Sequence, residues 1–354
     1  MKFKFLNKRI TGILTVLPEN EVSFEDGIEN YNFSVSKSMK LKKVMGYDKR
    51  RIVKDGVCSS DLVSRGLEYL FENNLLEKED IDGLLFVSQS PDFIMPATSN
   101  ILQDKFGLKR DMFCIDINQG CGGFMAGLLQ ALMMLDQEQI NKVLLINADV
   151  LSRKVSIKDR NSYPIIGDGA SITILESVKD TKPIFLSLKM DASGVHDVIV
   201  PAGGFRTPST PETAIMHEDD HGNFRSLDNL VMKGDSVFNF VQREVPPMIE
   251  EMLEFSNTIR EDVDYFFCHQ PNKFMLNKLA DKIKVPREKV PSNIVEKYGN
   301  SSGVCIPVTI CDNVGEELER KSFNVCFAGF GVGWTFGAAI LELGNLDFNR
   351  IIEY

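Results

Sequence analysis

The sequence predicts an α/β fold built from two similar halves. An acidic start followed by a hydrophobic strand occurs twice, at Glu79–Phe86 and at Glu261–Cys268, and a helical pattern follows each copy. Each half then ends in a glycine motif that runs into an Ile-Leu-Glu strand, at Gly167–Glu176 and at Gly331–Glu342. Two echoes in the same order indicate an internal duplication. A chain of 354 residues is long enough for two such halves.

The composition excludes several classes of protein. The chain has 40 Lys and Arg against 50 Asp and Glu, and a net charge of −10 argues against general nucleic-acid binding. No apolar run approaches the roughly 20 residues that span a bilayer, and the charges of Lys8 and Arg9 interrupt any signal peptide. Seven scattered cysteines suit a reducing compartment better than a disulfide framework. We therefore expect a cytoplasmic protein without a membrane or nucleic-acid partner.

The first candidate catalytic residue is Cys121, in the glycine-rich segment Asn118–Gly123. An apolar segment of strand length, Met112–Ile117, precedes it, and hydrophobic residues recur at helical spacing from Phe124 to Met133. A cysteine at such a strand-to-helix junction lies near the positive end of a helix dipole, which stabilises the thiolate. The alternative is a packed junction residue beneath glycines that allow close helix–sheet contact.

His269 and Asn300 are the second and third candidates. His269 follows the strand-like run Asp264–Cys268 and precedes Pro271, and Asn300 lies in the loop Tyr298–Gly303. Each has an ordinary explanation when taken alone, as a satisfied core histidine or as a turn asparagine. A thiol, an imidazole and a carboxamide together are enough to make and consume a thioester.

Together these segments resemble the thiolase superfamily, and within it the ketoacyl-acyl carrier protein synthase III group. The resemblance runs from Ile10–Gly12 to the glycine-rich segment Gly329–Gly337, and it includes Gly167–Ala170. It covers essentially the whole chain. It places the Cys-His-Asn triad of the family on Cys121, His269 and Asn300.

The resemblance implies a thiolase fold, in which two duplicated halves form a five-layered αβαβα arrangement. Residues 1–178 would form the half with the nucleophile, and residues 179–354 the half with the histidine and the asparagine. The implied reaction is transfer of an acyl group to Cys121, followed by decarboxylative condensation with a malonyl thioester. The backbone N–H groups of Cys121 and Val332 would form the oxyanion hole, although glycine is usual at position 332. The resemblance implies no metal and no cofactor, an acyl carrier protein as partner, and a homodimer.

The substrate-binding residues depart in part from the family pattern. The resemblance assigns substrate binding to Arg160, Asn272 and Met95, and Met95 stands where phenylalanine is common, beside a pocket that the partner subunit completes. Lys40 and Val44 replace the tryptophan and the arginine that hold the adenine of coenzyme A. An ammonium group is not a flat stacking platform, and valine carries no charge. We therefore expect a carrier-bound acyl donor rather than coenzyme A.

A basic segment stands out from this acidic chain. Between Lys37 and Lys54 there are eight basic residues and one acid, Asp48. A solvated surface is the ordinary explanation of such a run. Because the family implies an acidic carrier protein, the segment also suits docking, where complementary charge raises the association rate and fixes orientation. The predicted docking residues are Lys40, Lys42, Lys43, Lys49, Arg50 and Lys273.

Other functions are compatible with the same residues. An acyl group on Cys121 could pass to a hydroxyl or an amine, which would give an ester or an amide. Hydrolysis would use the same three side chains, but the sequence around Cys121 lacks the papain-type signature. A non-catalytic partner subunit is a third alternative, although such proteins often lose the nucleophile.

One further motif, His217–His221, fits the zinc-protease pattern of two histidines four residues apart with a glutamate between them. That chemistry requires a stable helix. Asp219 and Asp220 are poor helix-interior residues, and Gly222 follows directly. The sequence therefore predicts a surface loop without a metal.

Overall fold

A computed structural model describes all 354 residues. The strands are β1 (Lys2–Phe5), β2 (Lys8–Leu17), β3 (Glu21–Ser23), β4 (Lys49–Arg51), β5 (Gly83–Val87), β6 (Phe113–Ile117), β7 (Lys142–Asp149), β8 (Gly169–Ser177), β9 (Ile184–Met190), β10 (Val198–Ile199), β11 (His217–Glu218), β12 (Phe224–Arg225), β13 (Val231–Met232), β14 (Tyr265–Cys268), β15 (Ser322–Gly331), β16 (Thr335–Gly344) and β17 (Phe348–Glu353). The helices are α1 (Val35–Met45), α2 (Ser59–Glu72), α3 (Thr98–Phe106), α4 (Gly123–Met134), α5 (Gly234–Ser256), α6 (Lys273–Lys282), α7 (Ile294–Lys297) and α8 (Cys305–Asn313).

Two sheets repeat one pairing pattern. The first has the strand order β17-β2-β8-β7-β5-β6, and the second has the order β1-β9-β16-β15-β14. Strand β5 pairs in parallel with β7, and β7, β8 and β2 then pair antiparallel in turn. Strand β14 likewise pairs in parallel with β15, and β15, β16 and β9 follow antiparallel. This repetition confirms the predicted duplication.

The terminal strands belong to the opposite sheets. Strand β1 pairs with β9 at the edge of the second sheet, and β17 pairs with β2 at the edge of the first. Each sheet is therefore completed by a strand from the far end of the chain. The division between residues 178 and 179 stays a prediction.

The repeated acidic segments bind their neighbouring strands in the same way. The N–H of Asp82 donates to the carbonyl oxygen of Lys142 at 2.9 Å, and the N–H of Asp264 donates to that of Asn324 at 2.8 Å. The two carboxylates accept in return from the N–H groups of Lys142 and Asn324, at 3.1 and 2.8 Å. The acidic residue before β5 thus fixes the register of its neighbour β7, and the one before β14 fixes that of its neighbour β15.

Helices and sheets alternate in five layers. Helices α4 and α8 lie between the two sheets, where Phe124 of α4 meets Phe327 of β15 edge to face with ring centroids 5.7 Å apart. Helices α2 and α3 cover the outer face of the first sheet, and α5 and α6 cover that of the second. Apolar residues lie all around helix α4, and this allows both of its sides to be buried between the sheets. Full burial of one side chain such as Phe124 contributes about 2–3 kcal/mol.

The segment between β9 and α5 is largely irregular and contains the His217–His221 motif. It contains two short antiparallel pairs, β10 with β13 and β11 with β12. His217 lies in β11 and His221 in the turn that follows, so the zinc-protease pattern does not form a helix. None of the helices is both long enough and apolar enough to cross a bilayer.

Candidate active site

Cys121, His269 and Asn300 line one cavity of about 1330 Å³ between the two halves. The three residues come from the start of α4, the end of β14 and the loop before α8. Most of the other lining residues are hydrophobic. The cavity is thus an apolar chamber with a few polar groups gathered around one thiol, which is the usual character of a small-molecule site.

The backbone closes tightly around Cys121. Strand β6 ends at Ile117 and α4 begins at Gly123, which confirms the predicted strand-to-helix junction. A Cβ atom at Gly331 would lie 2.2 Å from the Cβ of Cys121, so only glycine allows the loop after β15 to approach the nucleophile. Through this approach the N–H of Val332 reaches the sulfur of Cys121, beside the N–H of Cys121 itself. The oxyanion hole stays a prediction, and these two N–H groups are the ones that it requires.

The thiol of Cys121 is neutral at rest. Burial raises its pKa to about 11, against the opposing hydrogen bonds from the Ser302 hydroxyl and from two backbone N–H groups, and the nearby Asp149 carboxylate raises it further. The backbone N–H groups at this junction favour the thiolate, as the sequence predicts, but desolvation outweighs them. The proton must leave during the reaction.

His269 is held at the end of β14. Its backbone N–H donates to the carbonyl oxygen of Ala328 at 2.8 Å. Its ring packs edge to face on that of Phe330, with the ring centroids 5.5 Å apart. Burial lowers the pKa of the imidazole to about 3, although the backbone of Ser302 opposes this shift. The imidazole is therefore neutral throughout the physiological range.

Asn300 is anchored by the first half of the chain. Its N–H donates to the carbonyl oxygen of Ile165 at 2.7 Å, and its carbonyl oxygen accepts from the N–H of Gly167 at 3.0 Å. These two bonds form an isolated parallel bridge across the two halves. The loop that carries Asn300 is thus positioned by the half that carries Cys121.

The side-chain amide of Asn300 has one orientation. Its Oδ1 atom accepts from the N–H of Ser302 at 2.9 Å and from the thiol of Cys305 at 3.3 Å. An amide whose oxygen is engaged in this way presents its NH₂ group on the other side. That group lies 3.5 Å from Nε2 of His269. When the neutral imidazole carries its proton on Nε2, both nitrogens can donate to one oxygen atom between them.

The sequence did not predict two residues near the nucleophile, Asp149 and Ser302. The hydroxyl of Ser302 donates to Sγ of Cys121 at 3.9 Å. Asp149, at the end of β7, is 2% exposed, and its carboxylate lies close enough to raise the pKa of the thiol. Three donors reach Oδ1 of Asp149: the hydroxyls of Ser88 and Ser90, each at 3.2 Å, and the N–H of Gln89 at 2.8 Å. The available signal was a carboxylate that ends an apolar strand, where burial without partners is costly.

Arg160 and Asn272 lie at the cavity, and both already have protein partners. The guanidinium of Arg160 stacks on the ring of Phe33 at 4.2 Å and donates to the carbonyl oxygen of His221. The side chain of Asn272 accepts from the N–H of Met275 at 2.9 Å and thereby caps α6. Their substrate-binding roles stay predictions.

Met95 does not line the cavity of its own chain. Its residue is 75% exposed, whereas the preceding Phe93 and Ile94 do reach the cavity. Its predicted role, which depends on a partner subunit, stays a prediction.

The predicted docking residues divide into two groups. Arg50 is 3% exposed, donates to the carbonyl oxygen of Ile166 and stacks on Tyr163, so its prediction as a surface residue is wrong. Strand β4 turns alternate side chains inward, and Arg50 is the inward one. Lys40 and Lys43 are exposed and have no ion-pair partner. The other predicted lysines are paired: Lys42 with Glu25 and Asp48, Lys49 with Glu21, and Lys273 with Glu296.

The chain matches two family models over two parts of its length and a curated relative over its full length. The model for 3-oxoacyl-[acyl-carrier-protein] synthase III matches residues 115–194, and the model for the C terminal of that synthase matches residues 253–343. A putative 3-oxoacyl-[acyl-carrier-protein] synthase 3 from Campylobacter jejuni is 32% identical over 100% of this chain and 99% of its own. The chain belongs to the 3-oxoacyl-[acyl-carrier-protein] synthase III family.

Further relatives agree in sequence and in structure. A β-ketoacyl-[acyl-carrier-protein] synthase III from Fusobacterium nucleatum is 31% identical over 84% of this chain and 88% of its own. The crystal structure of a 3-oxoacyl-(acyl-carrier protein) synthase from Burkholderia xenovorans matches with a TM-score of 0.92 at 30% identity, covering 100% of this chain and 99% of the other. The predicted thiolase fold is confirmed, and the chain is a condensing enzyme of the synthase III type.

Proposed function

We propose that this synthase III-type enzyme is an acyltransferase that loads an acyl group onto Cys121 and condenses it with a malonyl thioester. One observation carries the proposal. Two backbone N–H groups converge on the thiol, and in the same cavity Nε2 of His269 and Nδ2 of Asn300 lie 3.5 Å apart. The site thus offers a nucleophile with one set of donors and a second pair of donors for another oxygen atom.

The first set of donors suits acyl transfer. The sulfur of Cys121 attacks the carbonyl carbon of the acyl thioester as its proton leaves. The N–H groups of Cys121 and Val332 stabilise the negative charge on the carbonyl oxygen. The bond to the carrier sulfur then breaks, and the carrier thiol departs with a proton.

The second pair of donors suits decarboxylation. His269 and Asn300 donate to the thioester oxygen of the malonyl group, and its carbon–carbon bond breaks to release carbon dioxide. The electron pair forms an enolate that these two donors stabilise, so no strong base is needed. The enolate carbon attacks the acyl group, the bond to Cys121 breaks, and a β-ketoacyl thioester leaves. A neutral imidazole suits this role, because burial lowers the pKa of His269 to about 3.

An acyl carrier protein is the proposed partner, since the names of the relatives specify that carrier. The exposed Lys40 and Lys43 support docking of an acidic protein. The pathway we propose is the biosynthesis of fatty acids or of a specialised metabolite. All seven cysteines are free, which supports a cytoplasmic location.

We also propose that the protein forms a homodimer. Strand β6 lies at the edge of the first sheet, and Phe113 on it is 56% exposed. The loop that contains Phe93, Ile94 and Met95 is also apolar and exposed. An unpaired edge strand beside an apolar loop supports pairing with a second copy.

The donor is proposed to be carrier-bound rather than bound to coenzyme A. Phe33 already covers one face of the Arg160 guanidinium, which leaves that face closed to a nucleotide base. Carrier-bound acyl groups should therefore acylate Cys121 faster than the same groups on coenzyme A, as measured by intact mass at short times. Acylation by coenzyme A thioesters at an equal or higher rate would contradict this preference.

The division of roles is tested by two half-reactions. Cys121→Ala should form no acyl enzyme but should still release carbon dioxide slowly from malonyl carrier protein. His269→Ala and Asn300→Ala should be acylated, while their carbon dioxide release falls about 100-fold or more, the usual cost of one oxyanion donor. If His269→Ala instead blocks acylation and spares decarboxylation, the assigned roles are wrong. An acyl enzyme that never triggers carbon dioxide release would favour ester or amide formation.

A further inference from the structure

The start of helix α8 lies directly against the loop that carries Asn300. Cys305 is the first residue of α8 and is 1% exposed. Its thiol donates to Oδ1 of Asn300 at 3.3 Å. The proposed reaction does not use this thiol directly, and a buried cysteine often does no more than fill space. The geometry of the hydrogen bond distinguishes the two possibilities.

A second donor fixes the direction of this hydrogen bond. The backbone N–H of Ser302 also reaches Oδ1 of Asn300, at 2.9 Å. A backbone N–H can only donate, so the atom that it meets is the amide oxygen and not the amide nitrogen. An amide oxygen can only accept, and the thiol of Cys305 therefore supplies the proton of the 3.3 Å bond. Burial keeps that proton in place, because it raises the pKa of Cys305 to about 12.

Two donors hold the amide of Asn300 more firmly than one donor can. The two lone pairs of an amide oxygen lie in the plane of the amide, so a single hydrogen bond leaves the group free to tilt about that contact. A second donor restricts this tilt. The same plane contains the NH₂ group, whose nitrogen lies 3.5 Å from Nε2 of His269. The thiol of Cys305 therefore helps to aim an N–H bond of Asn300 at the substrate oxygen.

The thiol of Cys305 has no closer competing acceptor. The only other possible acceptor within hydrogen-bonding distance of the sulfur is Oγ of Ser301, at 4.0 Å. The distance of 3.3 Å to Asn300 is much shorter. The backbone of Cys305 is also held within α8, because the hydroxyl of Thr309 donates to its carbonyl oxygen at 2.6 Å. A helix residue thus orients a side chain of the neighbouring loop.

We propose that Cys305 is a positioning residue for decarboxylation and acts through Asn300. The inference rests on the proposed role of Asn300 as a donor to the thioester oxygen of the malonyl group. Cys305 does not line the cavity, so it affects the reaction only through the amide that it holds. Acyl transfer should not depend on it, because the donors of that step are the backbone N–H groups of Cys121 and Val332.

The test measures carbon dioxide release from malonyl carrier protein. Cys305→Ala removes the donor, and release should fall about tenfold, the value of one hydrogen bond. The loss should appear in kcat, with KM for malonyl carrier protein unchanged, because the amide acts in the transition state. Cys305→Ser supplies another donor at the same place and should recover the rate to within about twofold of the parent. Acylation of Cys121, followed by intact mass, should be unchanged in both variants.

Cys311 provides a matched control on the same helix. It is also buried, and its thiol donates to Oδ1 of another asparagine, Asn349, at 3.0 Å. Neither Cys311 nor Asn349 lines the cavity. Cys311→Ala should therefore lower the free energy of unfolding by a similar amount to Cys305→Ala, because it removes the same kind of hydrogen bond. Its carbon dioxide release should stay at the parent rate.

Two further measurements show whether Cys305 acts through Asn300. Adding Cys305→Ala to Asn300→Ala should slow decarboxylation no further, because the amide that the thiol orients is already absent. The second measurement does not depend on catalysis. The infrared S–H stretching band of Cys305, identified by its loss in Cys305→Ala, should move to higher frequency in Asn300→Ala as its acceptor is removed. The band of Cys311 should not move.

The inference is overturned by parent-rate carbon dioxide release in Cys305→Ala, or by release that is equally slow in Cys305→Ser or in Cys311→Ala. A double variant that is slower than Asn300→Ala, or an S–H band that Asn300→Ala leaves in place, would overturn it as well. A parent enzyme that is acylated but never releases carbon dioxide would instead refute the proposed condensation. The infrared band would then still decide whether Cys305 holds Asn300.

Discussion

Burial shifts three ionisable side chains of the site toward their neutral forms. It raises the pKa of Cys121 to about 11 and that of Asp149 to about 6, and it lowers that of His269 to about 3. In each case desolvation is the largest cause, because the charged form loses its hydration. At pH 7 the thiol and the imidazole are therefore uncharged, and Asp149 alone carries a charge.

The raised pKa of Cys121 predicts its reactivity toward a small alkylating agent. The rate of alkylation by iodoacetamide should rise about tenfold for each pH unit from 7 to 10, because the thiolate fraction rises in that proportion below a pKa of about 11. Peptide mass analysis reports the modification of Cys121 separately from that of the other cysteines. Glutathione is the control, and a plateau for Cys121 near pH 8.5 would contradict the prediction.

Asp149 should make the protein less stable at neutral pH. Its folded pKa of about 6 lies above the ordinary value of 3.8, so the folded state binds the proton more tightly and stability falls as pH rises from 4 to 6. Asp149→Asn keeps the shape and removes the buried charge. The variant should be more stable than the parent by about 2–3 kcal/mol at pH 8 and similar to it at pH 4. Urea unfolding at both pH values measures this difference, and equal stability at pH 8 would refute it.

At the scale of elements, the patterns that depend on neighbours in sequence were predictable. The strand-to-helix junction at Cys121 follows from hydrophobic periodicity, and the repeated strands β5 and β14 follow from their acidic starts. The burial of Arg50 was missed because a run of charges does not show which residues of a short strand point inward. The positions of Ser302 and Asp149 beside Cys121 were missed because the three residues lie on separate elements that only the tertiary fold brings together.

The exposed face of α1 should govern carrier association. Lys40→Glu with Lys43→Glu should slow acylation by acyl carrier protein at low salt and have a smaller effect at high salt, because screening weakens exposed charges. Lys105→Glu with Lys179→Glu makes the same change in net charge at two exposed lysines that have no ion pair, outside α1. That control should leave the rate and its salt dependence unchanged. An equal effect of both pairs would show that net charge alone is responsible.

At the scale of the whole molecule, the two halves depend on each other for burial and for geometry. Helix α4 is covered by both sheets, and the loop of Asn300 is bonded to the first half. Each sheet also takes an edge strand from the far end of the chain. The family resemblance predicted the five layers, while the exchange of terminal strands has no signal in local sequence patterns because strand pairing between distant segments is set by tertiary packing.

Residues 1–178 on their own should therefore not fold. The fragment would expose the face of α4 that packs on the second sheet, and it would lack β17. We expect no cooperative urea unfolding and strong dye binding by exposed apolar surface. Mixing it with residues 179–354 should restore a cooperative transition. A cooperative transition in the isolated fragment would instead show that the first half is an independent domain.

The exchanged strands also bear on how the protein is made. Translation delivers β1 first, yet its partner β9 emerges only after the whole first sheet except β17 has been synthesised. The partner of β2 at the edge of that sheet, β17, is synthesised after the entire second half. A nascent chain that stalls before residue 348 therefore retains an unpaired edge on its first sheet, which is a surface prone to aggregation. The first sheet, whose strands are mostly synthesised early, is therefore completed only by the last strand of the chain. A chain truncated before β17 leaves the edge of β2 unpaired.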